Sequence, residues 1–108
     1  MEDPVELLKE LIRIDTTNPP GAEAALLDCL ERKLAKAQLP FARQETAPGR
    51  GNLVSRLKAD EEITLPPLVL LSHTDVVAAD PSQWLHPPFE AYEDEKGFIY
   101  GRGAVDTK

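Results

Sequence analysis

The sequence predicts an α/β fold, and three observations predict it. Two early segments carry apolar residues at helical spacing, shorter alternating segments follow them, and the run Leu-Val-Leu-Leu at residues 68–71 is apolar on both faces. A strand that is apolar on both sides belongs inside a sheet covered by helices on each face. The resulting order of helix, helix, strand, strand, strand reads as α/β packing. A chain of 108 residues, 42% hydrophobic and 29% charged, is long enough for one small domain and is globular rather than disordered in composition.

The first helix has a marked start. Asp3 can cap it, Pro4 suits the first helical position, and Glu6 stands where a capping box places an acid. Val5, Leu8 and Ile12 recur at helical spacing, as do Leu7, Leu11 and Ile14. Residues 15–21 end it, because Pro19 and Pro20 lack backbone donors and disfavour helix at Asn18, so this segment reads as an ordered loop. A second helix is predicted over residues 22–38, with Ala24, Leu27, Leu30 and Leu34 on one face and Glu31, Arg32 and Lys36 on the other. Pro40 stops it. Residues 41–45 and 53–58 alternate as strands do, with a turn at residues 50–52 between them. The central strand 68–71 runs directly into Ser72, His73, Thr74 and Asp75. A proline-rich stretch covers residues 78–89, where Trp84 and Phe89 can anchor a loop by burial. Residues 98–100 read as a last strand and residues 101–103 as a tight turn.

Two long helices under-cover a strand that is apolar on both faces, so an incomplete part of a larger domain is expected. The plainer alternative is a small two-layer α/β domain whose proline-rich loop buries part of the strand. There is no repeat, low-complexity tract or interdomain linker.

Composition narrows the function. A net charge of −7 disfavours a nucleic-acid partner and an anionic membrane surface. No apolar run approaches the roughly 18–20 residues that span a bilayer. The opening residues carry no basic-then-apolar signal, which favours the cytoplasm. The single cysteine, Cys29, excludes an internal disulfide and a Cys-rich zinc finger, and it reads as a small buried hydrophobe.

His73 stands at the carboxyl end of the central strand, where open α/β sheets bind ligands. Asp75 is two residues on, so in an extended backbone both side chains share a side. A metal-bound imidazole commonly gives its second N–H to a carboxylate, and His-x-Asp allows that; the plainer reading is a solvated histidine. Asp106 follows the last strand and its glycine turn, and is either a metal ligand or a helix cap. Two ligands alone do not close a zinc site. The pair Gly101 and Gly103 lacks the third glycine of a dinucleotide loop, since position 106 is Asp. His86 in the proline-rich stretch reads as solvent-facing. Ser72 and His73, as neighbours on a strand, point opposite ways and make a poor nucleophile–base pair.

Five stretches together resemble the N-terminal portion of one family: residues 7–21 (LLKELIRIDTTNPPG), 51–57 (GNLVSRL), 68–77 (LVLLSHTDVV), 84–89, and 97–108 (GFIYGRGAVDTK). The family is the di-zinc amidohydrolases that include aminoacylase, acetylornithine deacetylase, succinyl-diaminopimelate desuccinylase and carboxypeptidase G. The resemblance implies the N-terminal part of a three-layer catalytic domain over residues 1–108, without the lid or dimerisation domain. It implies that His73 is a ligand of one zinc, that Asp106 bridges both zincs, and that Asp75 orients His73. It implies two zinc ions per site, with cobalt as an alternative metal, and a parent able to form a homodimer. The bond from Asp106 to Thr107 is then expected to be cis, and Thr107 departs from the methionine common there. The family's paired glutamates, a further acidic ligand and a final histidine have no counterpart in this chain.

The implied reaction is amide hydrolysis in N-acyl amino acids or small peptides, with a glutamate outside this chain moving the proton. The 108 residues alone are expected to be inactive. A competing expectation is a non-catalytic α/β module or degenerate gene product that binds a partner through residues 78–89; a reading frame continuing to an adjacent Glu pair separates the two.

Overall fold

A computed structural model describes residues 3–59 and 64–108. Helix α1 spans Pro4–Ile12, with the Asp3 side chain accepting the Val5 N–H at 2.9 Å and Pro4 at the first helical position. Glu6 does not complete a capping box: its carboxylate pairs with Lys9 at 2.8 Å. Helix α2 spans Glu23–Lys36. It ends before Pro40, through bonds from Gln38 N–H to Ala35 O at 3.0 Å and from Leu39 N–H to Leu34 O at 2.9 Å, with Gln38 at φ 56°. That is a Schellman closure with glutamine in the position glycine usually holds.

Strands β1 (Phe41–Ala47) and β2 (Arg50–Ser55) form an antiparallel hairpin in which Phe41 faces Ser55 and Glu45 faces Gly51. The turn lies at Pro48 and Gly49, so Arg50, Gly51 and Asn52 belong to β2 rather than to the expected turn. The ladder explains the difference: Asn52 pairs with Gln44 and Gly51 with Glu45. Helix α2 packs on β2, with Leu27 against Gly51 and Arg43 of β1 reaching Asp28 at 2.5 Å. A second antiparallel pair joins β3 (Tyr92–Glu93) to β4 (Ile99–Tyr100). The last strand is thus where the sequence places it, but its partner β3 carries no alternation long enough to announce itself.

The architecture is mixed α/β, with one correction at its centre. Residues 68–71 form no strand, and Leu68, Val69, Leu70 and Leu71 are 85%, 76%, 87% and 95% exposed. A strand exists only by pairing, and both sheets among the described residues are closed two-stranded pairs that leave this run no neighbour. The three-layer arrangement around that strand is therefore not formed among the described residues.

The core lies instead between the helices: Leu11, Leu26 and Cys29 cluster, with Leu7, Ile14 and Leu30 packed against them. Cys29 is buried as expected, and burial pushes its thiol pKa up, aided by the adjacent Glu10 carboxylate. His86 is not solvent-facing: its ring is half-buried and stacks on Tyr92 at 3.8 Å between centroids, with Tyr100 at 5.2 Å. Two aromatic faces from the β3–β4 pair supply a surface that the sequence spacing of residue 86 does not reveal. No helix among the described residues is long and apolar enough to cross a membrane.

Candidate metal centre

The site is assembled by the loop after α1. Thr16 is fully buried, and its hydroxyl donates to Thr74 O at 2.6 Å. Val76 N–H bonds Thr16 O at 3.2 Å and Asn18 N–H bonds Val76 O at 2.8 Å, forming a parallel bridge between Thr17 and Val76. Asp15 tightens the loop by accepting the Thr17 N–H at 2.9 Å and its hydroxyl at 2.6 Å. These bonds pair backbone groups of a loop that belongs to neither helix nor named strand. They also hold residues 74–76 in place, and with them the two side chains that flank Thr74.

The second half of the site is brought back by the C-terminal turn. Residues 102–107 form consecutive turns after β4. Gly101 is required there because an added Cβ would collide with Ile12 Cγ2, and Ile12 is fully buried. Lys108 then reaches the end of α1, donating to Leu11 O at 3.1 Å and to Ile14 O. A cation there is favourably placed at the helix C-terminus, adding a donor to Leu11 O, which also accepts the Ile14 N–H. Burial lowers the Lys108 pKa to about 8.

Between these anchors, His73 Nε2 lies 3.0 Å from Asp106 Oδ1. His73 Nδ1 lies 2.9 Å from the backbone O of Asp75 and 3.3 Å from its Oδ1. The hydrogen bond to Asp106, then the Asp75 carbonyl, raises the His73 pKa above its ordinary value. The Asn18 side chain, donating to Asp75 Oδ2 at 2.9 Å, holds the Asp75 carboxyl below the usual range against the opposing effect of burial. A pocket of about 290 Å³ opens here, lined by Asn18, His73, Asp75, Arg102 and Asp106 among others. Arg102 lies over the Trp84 ring at 5.1 Å, and its buried Nε has no hydrogen-bond partner among the described residues.

The donor chemistry suits a metal such as zinc. Nδ1 of His73 is engaged by Asp75, so Nε2 is the nitrogen left to coordinate, and it faces a carboxylate. Ligands about 2.0–2.2 Å from a tetrahedral zinc stand roughly 3.3–3.6 Å apart, so the pair, now at the hydrogen-bonding separation of 3.0 Å, would open slightly to admit the ion. The number of donors falls short: no group of three or more His, Cys, Asp or Glu able to hold a metal occurs among the described residues. The Asp106–Thr107 bond, expected to be cis, is not among the cis bonds. A non-proline cis bond costs about 2.5–4 kcal/mol, and the incomplete donor set offers nothing to offset it. Sequence reasoning missed Asn18, Arg50 and Lys108 as organising residues. Asn18 was visible only as the residue before a proline, and the other two as charges without evident partners.

Comparison with known proteins decides the family. The model of Peptidase family M20/M25/M40 matches residues 69–108, a stretch that contains His73, Asp75 and Asp106. The chain belongs to this family. It is 36% identical over 104 residues to aminoacylase-1 of Sus scrofa and to that of Homo sapiens, covering 96% of this chain and 25% of each relative. It is 41% identical over 107 residues to succinyl-diaminopimelate desuccinylase of Caulobacter vibrioides, covering 98% of this chain and 26% of that protein. The M20/M25/M40 chain thus spans about a quarter of the length of these relatives.

Proposed function

We propose that this chain carries part of the metal site of a metal-dependent amidohydrolase acting on N-acyl amino acids or small peptides. In this reading His73 and Asp106 are metal ligands and Asp75 orients His73. The observation that supports it most is the relay from Asp75 through His73 to Asp106, with one imidazole nitrogen held and the other facing a carboxylate at 3.0 Å. Zinc is the metal the nitrogen and oxygen donors favour, with cobalt as an alternative; of two ions per site, His73 would hold one and Asp106 would serve both. A bound metal would supply Lewis-acid polarisation of the scissile carbonyl.

The chain's own residues bind and orient. Asp75 fixes the tautomer and plane of His73, and Asp106 offers two carboxylate oxygens beside it. No residue of the chain is assigned as general base, so the 108 residues alone do not hydrolyse amides. The reading extends to a homodimeric, cytoplasmic parent in which residues 1–108 are the N-terminal part of the catalytic domain and a lid or dimerisation domain lies elsewhere. The names of the relatives, aminoacylase-1 and succinyl-diaminopimelate desuccinylase, support an N-acyl amino acid as substrate.

The test is divalent cobalt titrated into the purified chain, followed by the ring signals of His73. Binding that shifts this ring, and that is lost in His73→Ala and in Asp106→Ala, is expected; binding indifferent to both substitutions ends the reading. Release of amine from N-acetyl amino acids by the zinc-loaded chain would overturn the claim of inactivity. A second reading has one observation of its own. A groove of about 600 Å³ is lined by Ala78, Ala79, Pro81, Pro87, Pro88 and Phe89, which suits a partner-binding module. A chain that takes no divalent metal at His73 would favour it.

A further inference from the structure

Asp75 divides its two carboxylate oxygens. Oδ1 lies 3.3 Å from His73 Nδ1, while Oδ2 accepts a hydrogen bond from Asn18 Nδ2 at 2.9 Å. Arg50 Nη2 stands 3.8 Å from the same Oδ2. The guanidinium is itself held by Glu23, through Nη2 at 2.7 Å and Nε at 3.1 and 3.2 Å. Glu23 is 5% exposed, and a buried carboxylate needs such a paired, hydrogen-bonded cation. Gly21 makes room for this cation: it sits at φ +87°, and a Cβ there would lie 2.6 Å from Arg50 Nε. The loop backbone is anchored separately, by Asn18 N–H on Val76 O and Val76 N–H on Thr16 O. The Asn18 side chain is therefore not needed to dock the loop.

We propose that Asn18 is a positioning residue for His73, acting through Asp75, whose Oδ2 also faces the Glu23–Arg50 ion pair. By occupying Oδ2 it fixes the plane of the Asp75 carboxylate, so that Oδ1 and the adjacent carbonyl receive the Nδ1–H of His73 and Nε2 is turned to Asp106. A neutral amide donor is well suited here, because it orients the carboxylate without cancelling the charge that the imidazole N–H meets. The inference rests on the metal-ligand reading of His73 and extends it to α2, β2 and the loop of residues 15–21, all outside the stretch matched by the family model.

The experiment uses the 108-residue chain with nitrogen-15 histidine and divalent cobalt as the probe. At a pH where the His73 ring is neutral, and with Asp106→Ala removing the carboxylate that competes for the proton at Nε2, the ring is expected to carry its proton on Nδ1. Adding Asn18→Ala in that background is expected to populate the other tautomer, and Asn18→Ala with Asp106 intact to weaken cobalt binding by about 3–10-fold, below the roughly 10–100-fold typical of outer-shell partners that touch the ligand itself. Amide protection at Asn18 and Val76 stays unchanged. Asn18→Leu keeps roughly the size of the side chain, removes the donor without adding a charge, and gives the same tautomer change should the alanine variant fail to fold. An unaltered tautomer in the folded variants overturns the proposal, whatever the metal does. If wild-type His73 takes no cobalt, the metal-ligand reading fails, and the tautomer measurement alone decides the role of Asn18.

Discussion

Two neighbouring stretches of this chain meet opposite fates. Residues 73–76 are mostly polar but held: Thr74 O, Asp75 Oδ2 and both backbone groups of Val76 have partners in residues 16–18, and Val76 is 4% exposed. Residues 68–71 are apolar yet bare, each at least 76% exposed. The difference lies in where the partners are. The polar stretch needs one short loop, which the chain contains. The apolar run needs a flanking strand and covering helices, which the described residues do not provide. Order here follows the availability of specific partners rather than hydrophobicity.

The largest expected effect tests the held side. Ile12 is fully buried, with its Cγ2 against Gly101, so it joins the end of α1 to the turn that returns Asp106. Ile12→Ala is expected to cost about 2–5 kcal/mol, read as a fall in the urea midpoint. Thr16→Val comes next. It keeps the volume but leaves Thr74 O without its 2.6 Å donor in a fully buried place. An unsatisfied buried acceptor costs about 1–3 kcal/mol, and the same denaturation measurement checks it. A loss much smaller than this would mean that the bridge between the loop and residues 74–76 is maintained by its backbone bonds alone.

The same contrast explains what was legible in the sequence. Both helices were, because helical periodicity and a cap such as Asp3 act within a few residues of one another. So was the convergence of His73 and Asp106, though only through the joint pattern of motifs; the strand-end positions by themselves favoured a solvated histidine and a helix cap. The strand expected at residues 68–71 is absent because its two-sided apolar pattern reports what the segment prefers, and pairing depends on residues elsewhere. Asn18 and Arg50 escaped because their roles depend on partners 57 and 27 residues away in sequence, which no local spacing encodes. His86 escaped for the same reason, its ring being received by Tyr92 and Tyr100 of the β3–β4 pair.

A smaller effect sharpens the comparison within the held stretch itself. The hydrogen bond to Asp106 raises the His73 pKa above the ordinary 6.5. A histidine raised in the folded state adds stability that is fully present below its unfolded pKa and is lost as pH rises through the folded value. In the metal-free chain the His73 ring is expected to titrate above the usual midpoint by NMR. Asp106→Asn is expected to move that midpoint down, leaving the contribution of Asp75. Because the Asp106 side chain is 89% exposed, added salt is expected to shrink the shift. A midpoint indifferent to Asp106→Asn would show that the two groups do not meet in solution.

The smallest expected effect belongs to the bare stretch. Leu70 is 87% exposed, so Leu70→Lys removes little packing from the chain and is expected to change its stability within about 0.5 kcal/mol. What it changes is association. An exposed apolar run with unpaired backbone is a template for pairing between copies, and a lysine in it opposes that pairing. Sedimentation at rising concentration is expected to show less self-association for the variant than for the wild type. In a longer chain whose added strands and helices buried the residue, the same substitution would be expected to cost about 2–5 kcal/mol, as core truncations do, with the cost of a buried charge added. A loss of that size already present in the 108-residue chain would show that residues 68–71 are covered there, and the contrast between the two stretches would not hold.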